Sequence, residues 1–181
     1  MTKFLSVALI LAAAFTLNAQ ERFEVGMGAG TSHPLNGDAF RNAASTGDGH
    51  QFWLGYGLDE HWGVELGSDN MDFDAVNAKS TGISLGGVYR FVPTSWIHPI
   101  AKLGLGSFES EDAATQKTTS MGLKAAGGLE ADFKYISVGA LVNFYHIMKT
   151  DDAADLKNTQ ALVPAVFVAV HNALTEEKET S

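Results

Sequence analysis

Apolar residues alternate with small or polar residues along almost the whole chain after residue 20, and this period of two constrains the fold most strongly. Successive side chains of a strand point to opposite faces, so such alternation predicts strands with two chemically distinct faces. The sequence therefore predicts an all-β chain of eight strands. They cover residues 23–30, 51–58, 62–67, 80–91, 97–108, 118–133, 135–147 and 159–170.

Long and short connections alternate between these segments. Consecutive antiparallel strands then send all long links to one end and all short links to the other. This layout predicts an eight-stranded antiparallel up-and-down transmembrane β-barrel, with short periplasmic turns on one rim and longer extracellular loops on the other. The long links are 35–49, 69–79, 109–117 and 149–158, and the short ones are 59–61, 92–96 and Lys134.

One face of the predicted strands consists mainly of glycine. Glycine weakens a strand and packs nothing, so a water-facing surface would carry Thr, Lys or Glu instead. An eight-stranded barrel has an interior just wide enough for side chains, so small residues suit its inner face. We assign Gly87 and Gly127 to the apolar outer face. The inner face takes Gly26, Gly28, Gly30, Gly55, Gly57, Gly63, Gly67, Gly82, Gly86, Gly104, Gly106, Gly122, Gly128 and Gly139.

Charged residues share the face that carries the glycines, with as many acids as bases. An unpaired charge in a closed, low-dielectric interior costs several kcal/mol, so equal numbers are what such an interior requires. We therefore predict a lumen charge network. The alternatives are an ordinary water-facing side of a soluble sheet and an ion pathway through the lumen. The predicted network consists of Glu24, Glu65, Arg90, Lys102, Lys124 and Glu130.

Aromatic residues concentrate at the strand ends. Membrane barrels place such residues in two girdles at the level of the lipid headgroups, whereas a soluble core would hold more of them in mid-strand. The girdle at the short turns is predicted to contain Trp62, Tyr89, Phe91, Trp96, Phe133 and Tyr135. The girdle at the long links is predicted to contain Phe52, Trp53, Phe73, Phe108, Phe144 and Tyr145.

Residues 1–19 have the parts of an export signal. Lys3 supplies the positive charge, 4–17 form the apolar stretch, and Ala19 is the small residue before the expected cleavage. An uncleaved anchor is the alternative, although the stretch is shorter than the ~20 residues of a spanning helix. We predict a signal peptide at 1–19, a barrel at 20–172 and a short acidic periplasmic tail at 173–181.

The chain is acidic and lacks cysteine, which excludes several classes of function. Its formal net charge is −9, so a nucleic-acid partner is not expected. Without Cys there is no disulfide, thiolate metal site or cysteine nucleophile. Most of the excess acid lies in the long links, which predicts acidic extracellular loops. These loop carboxylates could form a solvated surface or could share divalent cations with glycolipid phosphates. Residues 69–74 lack the EF-hand pattern, and no metal site is predicted.

The catalytic motifs sought in the sequence lack the context that catalysis requires. The six histidines show neither H-x-x-x-H nor H-E-x-x-H spacing, and the G-x-S-x-G run at 82–86 lies inside a predicted strand, so there is no G-x-S-x-G elbow at a strand-to-helix turn. A lipid-modifying enzyme that combines His146 with Ser107 or Ser120 at the outer rim is the weaker alternative. We expect no catalytic residues and no cofactor.

The mature chain resembles the outer-membrane β-barrel family of small eight-stranded OmpA/OmpX-type proteins. The resemblance covers about residues 20–172 and implies import by the barrel insertion machinery. It also implies a structural, adhesive, resistance or immune-exposed surface role, with a minority of members acting on lipids. Two features depart from it. Family members usually end on an aromatic residue in the last strand, whereas here strand eight is followed by 171–181. Pro164 suggests a bulge or a site near the rim. The stretches that carry the resemblance are FEVGMGAG (23–30), LGYGLDEHWGVEL (54–66), ISLGGVYRF (83–91), HPIAKLGLG (98–106) and MGLKAAGGLEADFKYISVGALVN (121–143).

These observations predict a non-enzymatic integral protein of the cell outer membrane with a structural or surface-interaction role. Its expected partners are outer-membrane lipid and lipopolysaccharide, the insertion machinery and a loop ligand that the sequence does not identify. A soluble periplasmic barrel that binds an apolar ligand in its interior is the alternative. The two differ in which face of the sheet is wet.

Overall fold

The computed structural model describes residues 22–35, 47–73, 78–111, 117–148 and 159–172. Neighbouring strands are antiparallel and β1 also pairs with β8, so the sheet closes into a barrel in sequence order. The predicted eight-stranded up-and-down barrel is confirmed. Its strands are β1 (Phe23–Pro34), β2 (Gly47–Gly57), β3 (Trp62–Phe73), β4 (Ala78–Arg90), β5 (Ile97–Glu111), β6 (Lys117–Phe133), β7 (Ile136–Ile147) and β8 (Thr159–His171). No helix in these ranges is long and apolar enough to cross a membrane.

Several strands extend beyond the predicted segments. The links expected at 69–79 and 109–117 shrink to 74–77 and 112–116, because β3, β4, β5 and β6 continue to pair at their outer ends. The inward and outward alternation persists there, as Met71 and Phe73 remain buried. The signal peptide and the acidic tail lie outside the described residues.

The apolar face of the sheet points outward. Leu85 and Leu103 are 64% and 61% exposed, whereas Glu65 and Lys124, one position away from outward residues on their strands, are buried. An outer surface of this composition is suited to hydrocarbon and not to water. The soluble alternative is therefore wrong.

The strand glycines lie on the faces assigned to them, and Gly26 shows why the inner face requires them. A Cβ atom added to Gly26 would collide with the indole ring of Trp53, which fills the adjacent interior. Large inward side chains therefore depend on small neighbours across the strands.

Pro164 interrupts the pairing of β1 with β8 without shifting it. Gly30 pairs with Ala165 and His33 with Leu162, so the register is the same on both sides of the proline. Pairing with β7 continues through Val142 and Pro164. The bulge suggested by the sequence is wrong: the missing proline N–H removes a local bond but does not displace the strand.

Asp59 caps the short turn between β2 and β3. Its Oδ1 accepts hydrogen bonds from the backbone N–H groups of Trp62 and His61, each at 2.7 Å. These bonds, that from Trp62 first, lower the pKa of the Asp59 carboxyl. The side chain thereby helps to close the turn at this rim.

Val92 in the β4–β5 turn has a positive φ of 50°. This left-handed conformation is unfavourable for a β-branched residue and free for glycine. We expect Val92→Gly to raise the free energy of unfolding by about 1 kcal/mol. Equilibrium urea unfolding of the barrel in detergent would measure the change. A loss of stability would contradict the assignment of strain to this residue.

Candidate functional site

The six charged residues of the predicted lumen network are all buried on the inner face of the barrel. Arg22, Asp69 and His98 contact members of this network, Asp132 joins it through Arg22, and His171 joins it through Asp132. Most of these residues lie near the end of a strand and continue its inward-facing alternation. Arg22 lies two positions before Glu24, and Asp132 lies two positions after Glu130. Following the alternation to the ends of the strands would have found them.

Arg22 and Arg90 organise the part of the network nearest the short turns. Arg22 bonds Glu130 at 2.9 Å and both oxygens of Asp132. Arg90 donates to Glu24 at 2.9 Å and to Glu130 at 3.0 Å. Each carboxylate in this cluster accepts from at least one guanidinium, the arrangement that a buried charge requires.

Two separate ion pairs lie farther toward the long-link end. Lys102 bonds Glu65 at 2.5 Å and lies 4.3 Å from the ring centroid of Trp53. Lys124 bonds Asp69 at 2.7 Å, and Asp69 also accepts from Tyr145 at 2.8 Å. Asp69 was expected in an acidic outer link. That expectation is wrong, because β3 continues past it and turns its side chain inward.

Apolar side chains fill the rest of the interior. Four aromatics predicted for the outer girdle are buried inside: Trp53, Phe73, Phe108 and Tyr145 are at most 2% exposed. Their strand positions have inward parity, which outweighs their location near strand ends. Phe108 and Tyr145 pack edge to face with centroids 6.0 Å apart. One buried cluster contains Met71, Phe73, Phe108, Tyr145, Ile147, Ala161 and Val163.

Little space remains between these side chains. The cavities beside the charge network, one lined by Arg22, Glu24 and Arg90 and one by Glu65, Lys102 and Lys124, have volumes of about 10 Å³ each. That is room for about one water molecule. These two cavities are too small for an apolar ligand, and the ion pairs beside them are suited to holding the sheet together.

The aromatic side chains predicted for the short-turn girdle face outward. Trp62 is 54% and Trp96 64% exposed, and Tyr89 packs between Trp62 and Phe91 with both centroids at 4.7 Å. Their position beside the turns is typical of a membrane interface. The remaining members, Phe133 and Tyr135, are also exposed.

The outer rim does not assemble the residues of the alternative lipid-modifying site. Ser120 is buried on the inner face, whereas His146 lies on the outer face of β7. Ser107 pairs with Met121, and His146 pairs with Leu123, so strand β6 separates Ser107 from His146. His146 Nδ1 instead lies 3.1 Å from the amide nitrogen of Gln160.

One cluster has the residue types of a metal site. His98, Glu130 and Asp132 offer ligand atoms within 4.8 Å of one another. Both carboxylates, however, already bond Arg22, and Glu130 also bonds Arg90. A divalent cation would lie beside two guanidinium charges that repel it. These residues fit the ion-pair network better than a metal ion.

Comparison with known proteins finds one family and several structures. The family model of the outer membrane protein beta-barrel domain matches residues 3–167. Neisserial surface protein A is similar at a TM-score of 0.66 and 14% identity, covering 83% of this chain and 96% of that chain. The N-terminal β-barrel domain of Pseudomonas aeruginosa OprF gives 0.54 and 13%, covering 84% and 97%. The outer membrane enzyme PagL gives 0.54 and 14%, covering 81% and 98%.

These identities establish likeness of fold alone. A comparison with curated protein sequences gives no match.

Proposed function

Because the chain belongs to the family of outer membrane protein β-barrel domains, we propose that it is a non-enzymatic surface protein of that membrane. In this proposal the barrel is a rigid support, and acidic extracellular loops carry the interaction with a partner. Residues 1–19 act as a cleaved export signal, and the insertion machinery places the barrel in the membrane.

The observation that carries the proposal is the filled interior. Ion pairs and aromatic side chains occupy the lumen, and the cavities beside the charge network measure about 10 Å³. A barrel closed in this way supports neither a solute pathway nor an internal ligand site. Interaction with the surroundings is then left to the outer surface and the links, where function on a rigid scaffold commonly lies.

An enzyme acting on membrane lipid is the second candidate, since PagL is an outer membrane enzyme of similar fold. The described outer rim argues against it. The residues paired with His146 on the two adjacent strands, Leu123 and Gln160, supply neither a hydroxyl nor a carboxylate for a hydrolytic group.

Whole-cell and surface binding assays with the barrel in detergent test the role of the loops. We expect intact barrel to bind, and a variant with 36–46 and 149–158 replaced by short turns to lose most of that binding. Both forms should run differently on SDS gels before and after boiling, which shows that trimming leaves the barrel folded. Equal binding by the two forms would contradict the loop role.

Incubation of the intact barrel with outer-membrane lipids, followed by mass spectrometry of the lipids, tests whether the barrel modifies them. We expect no change in lipid mass or acyl-chain content. A deacylated or otherwise altered lipid would overturn the non-enzymatic proposal.

A further inference from the structure

An apolar trough crosses the outer face of β6, β7, β8 and β1. It is an open depression of about 560 Å³, lined almost entirely by apolar atoms. The outward residues that line it are Ala29, Thr31, Gly127, Leu129, Ala140, Val142, Pro164 and Val166.

The trough arises from small residues flanked by larger ones. Ala29, Gly127 and Ala140 leave a low surface, while Leu129 and Val166 stand beside them at 55% and 67% exposure. At Gly127 a Cβ atom would meet only the carbonyl oxygen of Ile100, at 3.9 Å. The space above this glycine is therefore open to whatever surrounds the barrel.

Polar side chains lie beyond the trough, toward the long-link end. Thr31 Oγ1 lies 3.0 Å from His33 Nε2. On the neighbouring strands, the amide of Gln160 donates to His146 Nδ1 at 3.1 Å, which leaves the Nε2–H of that imidazole as a donor. Asp48 of β2, which pairs with Thr31 of β1, adds a carboxylate as an acceptor. Donors and an acceptor thus border an apolar depression at its outer end.

The strands from β3 to β6 carry different side chains at the long-link end of the barrel. There the exposed side chains form ion pairs with each other, such as Lys117 with Glu109 at 2.7 Å and Lys79 with Asp72 at 3.8 Å. Above the trough the side chains are instead the imidazoles of His33 and His146, the hydroxyl of Thr31 and the carboxylate of Asp48. This polarity is complementary to an amphiphile with an apolar chain and a headgroup rich in hydroxyl groups, which can bond both imidazole and carboxylate.

We propose that the trough binds one acyl chain of an outer-leaflet glycolipid, with the sugar hydroxyl groups of its headgroup against His33 and His146. The trough lies in the apolar belt, where hydrocarbon is the surrounding medium. This inference rests on the proposed outer-membrane setting but is independent of the loops. Loop trimming leaves the trough intact, and filling the trough leaves the loops intact, so the two proposals fail separately.

Gly127→Leu is the direct test, and Gly87→Leu is its matched control. Both are outward strand glycines, and a Cβ at either one meets a single carbonyl oxygen at 3.9 Å. Leucine suits a lipid-facing strand, so both variants should fold. Only Gly127 lines the trough.

Native mass spectrometry of the barrel titrated with purified lipid A would give the affinity for the first bound lipid. We expect one retained lipid A per barrel, about tenfold weaker binding for Gly127→Leu, and binding within about twofold of the parent for Gly87→Leu. Phosphatidylglycerol of matched chain length should be retained more weakly by the parent barrel.

The double substitution His33→Phe and His146→Phe tests the headgroup contact. It should remove the preference for lipid A over phosphatidylglycerol while leaving an acyl chain in the trough. Equal binding by the Gly127→Leu and Gly87→Leu variants, or no lipid retained by the parent, would overturn the proposal. A parent dimer that Gly127→Leu dissociates would also overturn it, because the occupant would then be a second copy of the chain.

Discussion

Arg90→Ala should lower the free energy of unfolding by about 3–5 kcal/mol, the range for removing one partner from a buried ion pair. Arg90 bridges two carboxylates, with Nη2 on Glu24 and Nε on Glu130. Without it, Arg22 is left as the sole guanidinium for Glu24, Glu130 and Asp132. The surplus negative charge then lies in an interior with little room for water. Urea unfolding in detergent or lipid vesicles, followed by tryptophan fluorescence, would measure the loss.

Lys117→Ala is the control for Arg90→Ala. Lys117 also contacts two carboxylates, those of Glu109 and Glu111, but its side chain is 60% exposed. Water and salt screen exposed pairs of this kind, so Lys117→Ala should leave the unfolding midpoint almost unchanged. Similar losses for the two variants would mean that burial does not govern the energetics of this network.

The faces of the sheet could be read from the sequence because a strand alternates strictly. Glu65 and Lys124 could be assigned to the inside, and Gly127 to the outside, from parity alone. The pairing could not be read in this way. Lys124 bonds Asp69 from β3, a contact set by the tilt and register of strands distant in sequence.

The ends of the strands were harder to predict, for a specific physical reason. Aromatic residues near strand ends suit both an outer girdle and an inner plug, and only the parity of each position separates the two. Phe52 faces outward at 45% exposure, while the adjacent Trp53 is buried and donates to Glu24 at 2.8 Å. Applying the alternation beyond the predicted ends would have placed Asp69 and Phe73 inside as well.

Phe108→Ala should also cost about 3–5 kcal/mol, the range for truncating a fully buried phenylalanine. Phe108 is 0% exposed and lies against Tyr145 within the apolar part of the lumen. Its ring fills space left by glycines, since a Cβ at Gly122 or Gly106 would come within 2.8 or 3.0 Å of it. The rigid sheet around it cannot collapse into the vacated volume, so the cavity persists. Denaturant unfolding midpoints would measure the loss.

Substituting Gly82 with and without Phe108→Ala tests whether the stability of the lumen depends on close packing or only on the amount of apolar surface buried. A Cβ at Gly82 collides with the ring of Phe108, so Gly82→Ala alone should destabilise the barrel by about 1–3 kcal/mol. In the background of Phe108→Ala the same substitution finds space and should cost much less, a non-additivity expected of residues in contact. Phe52→Ala, on the lipid-facing surface, should cost about 1 kcal/mol or less. Additive effects of Gly82→Ala and Phe108→Ala would show that Gly82 does not make room for the Phe108 ring. The glycines of the lumen would then need another explanation.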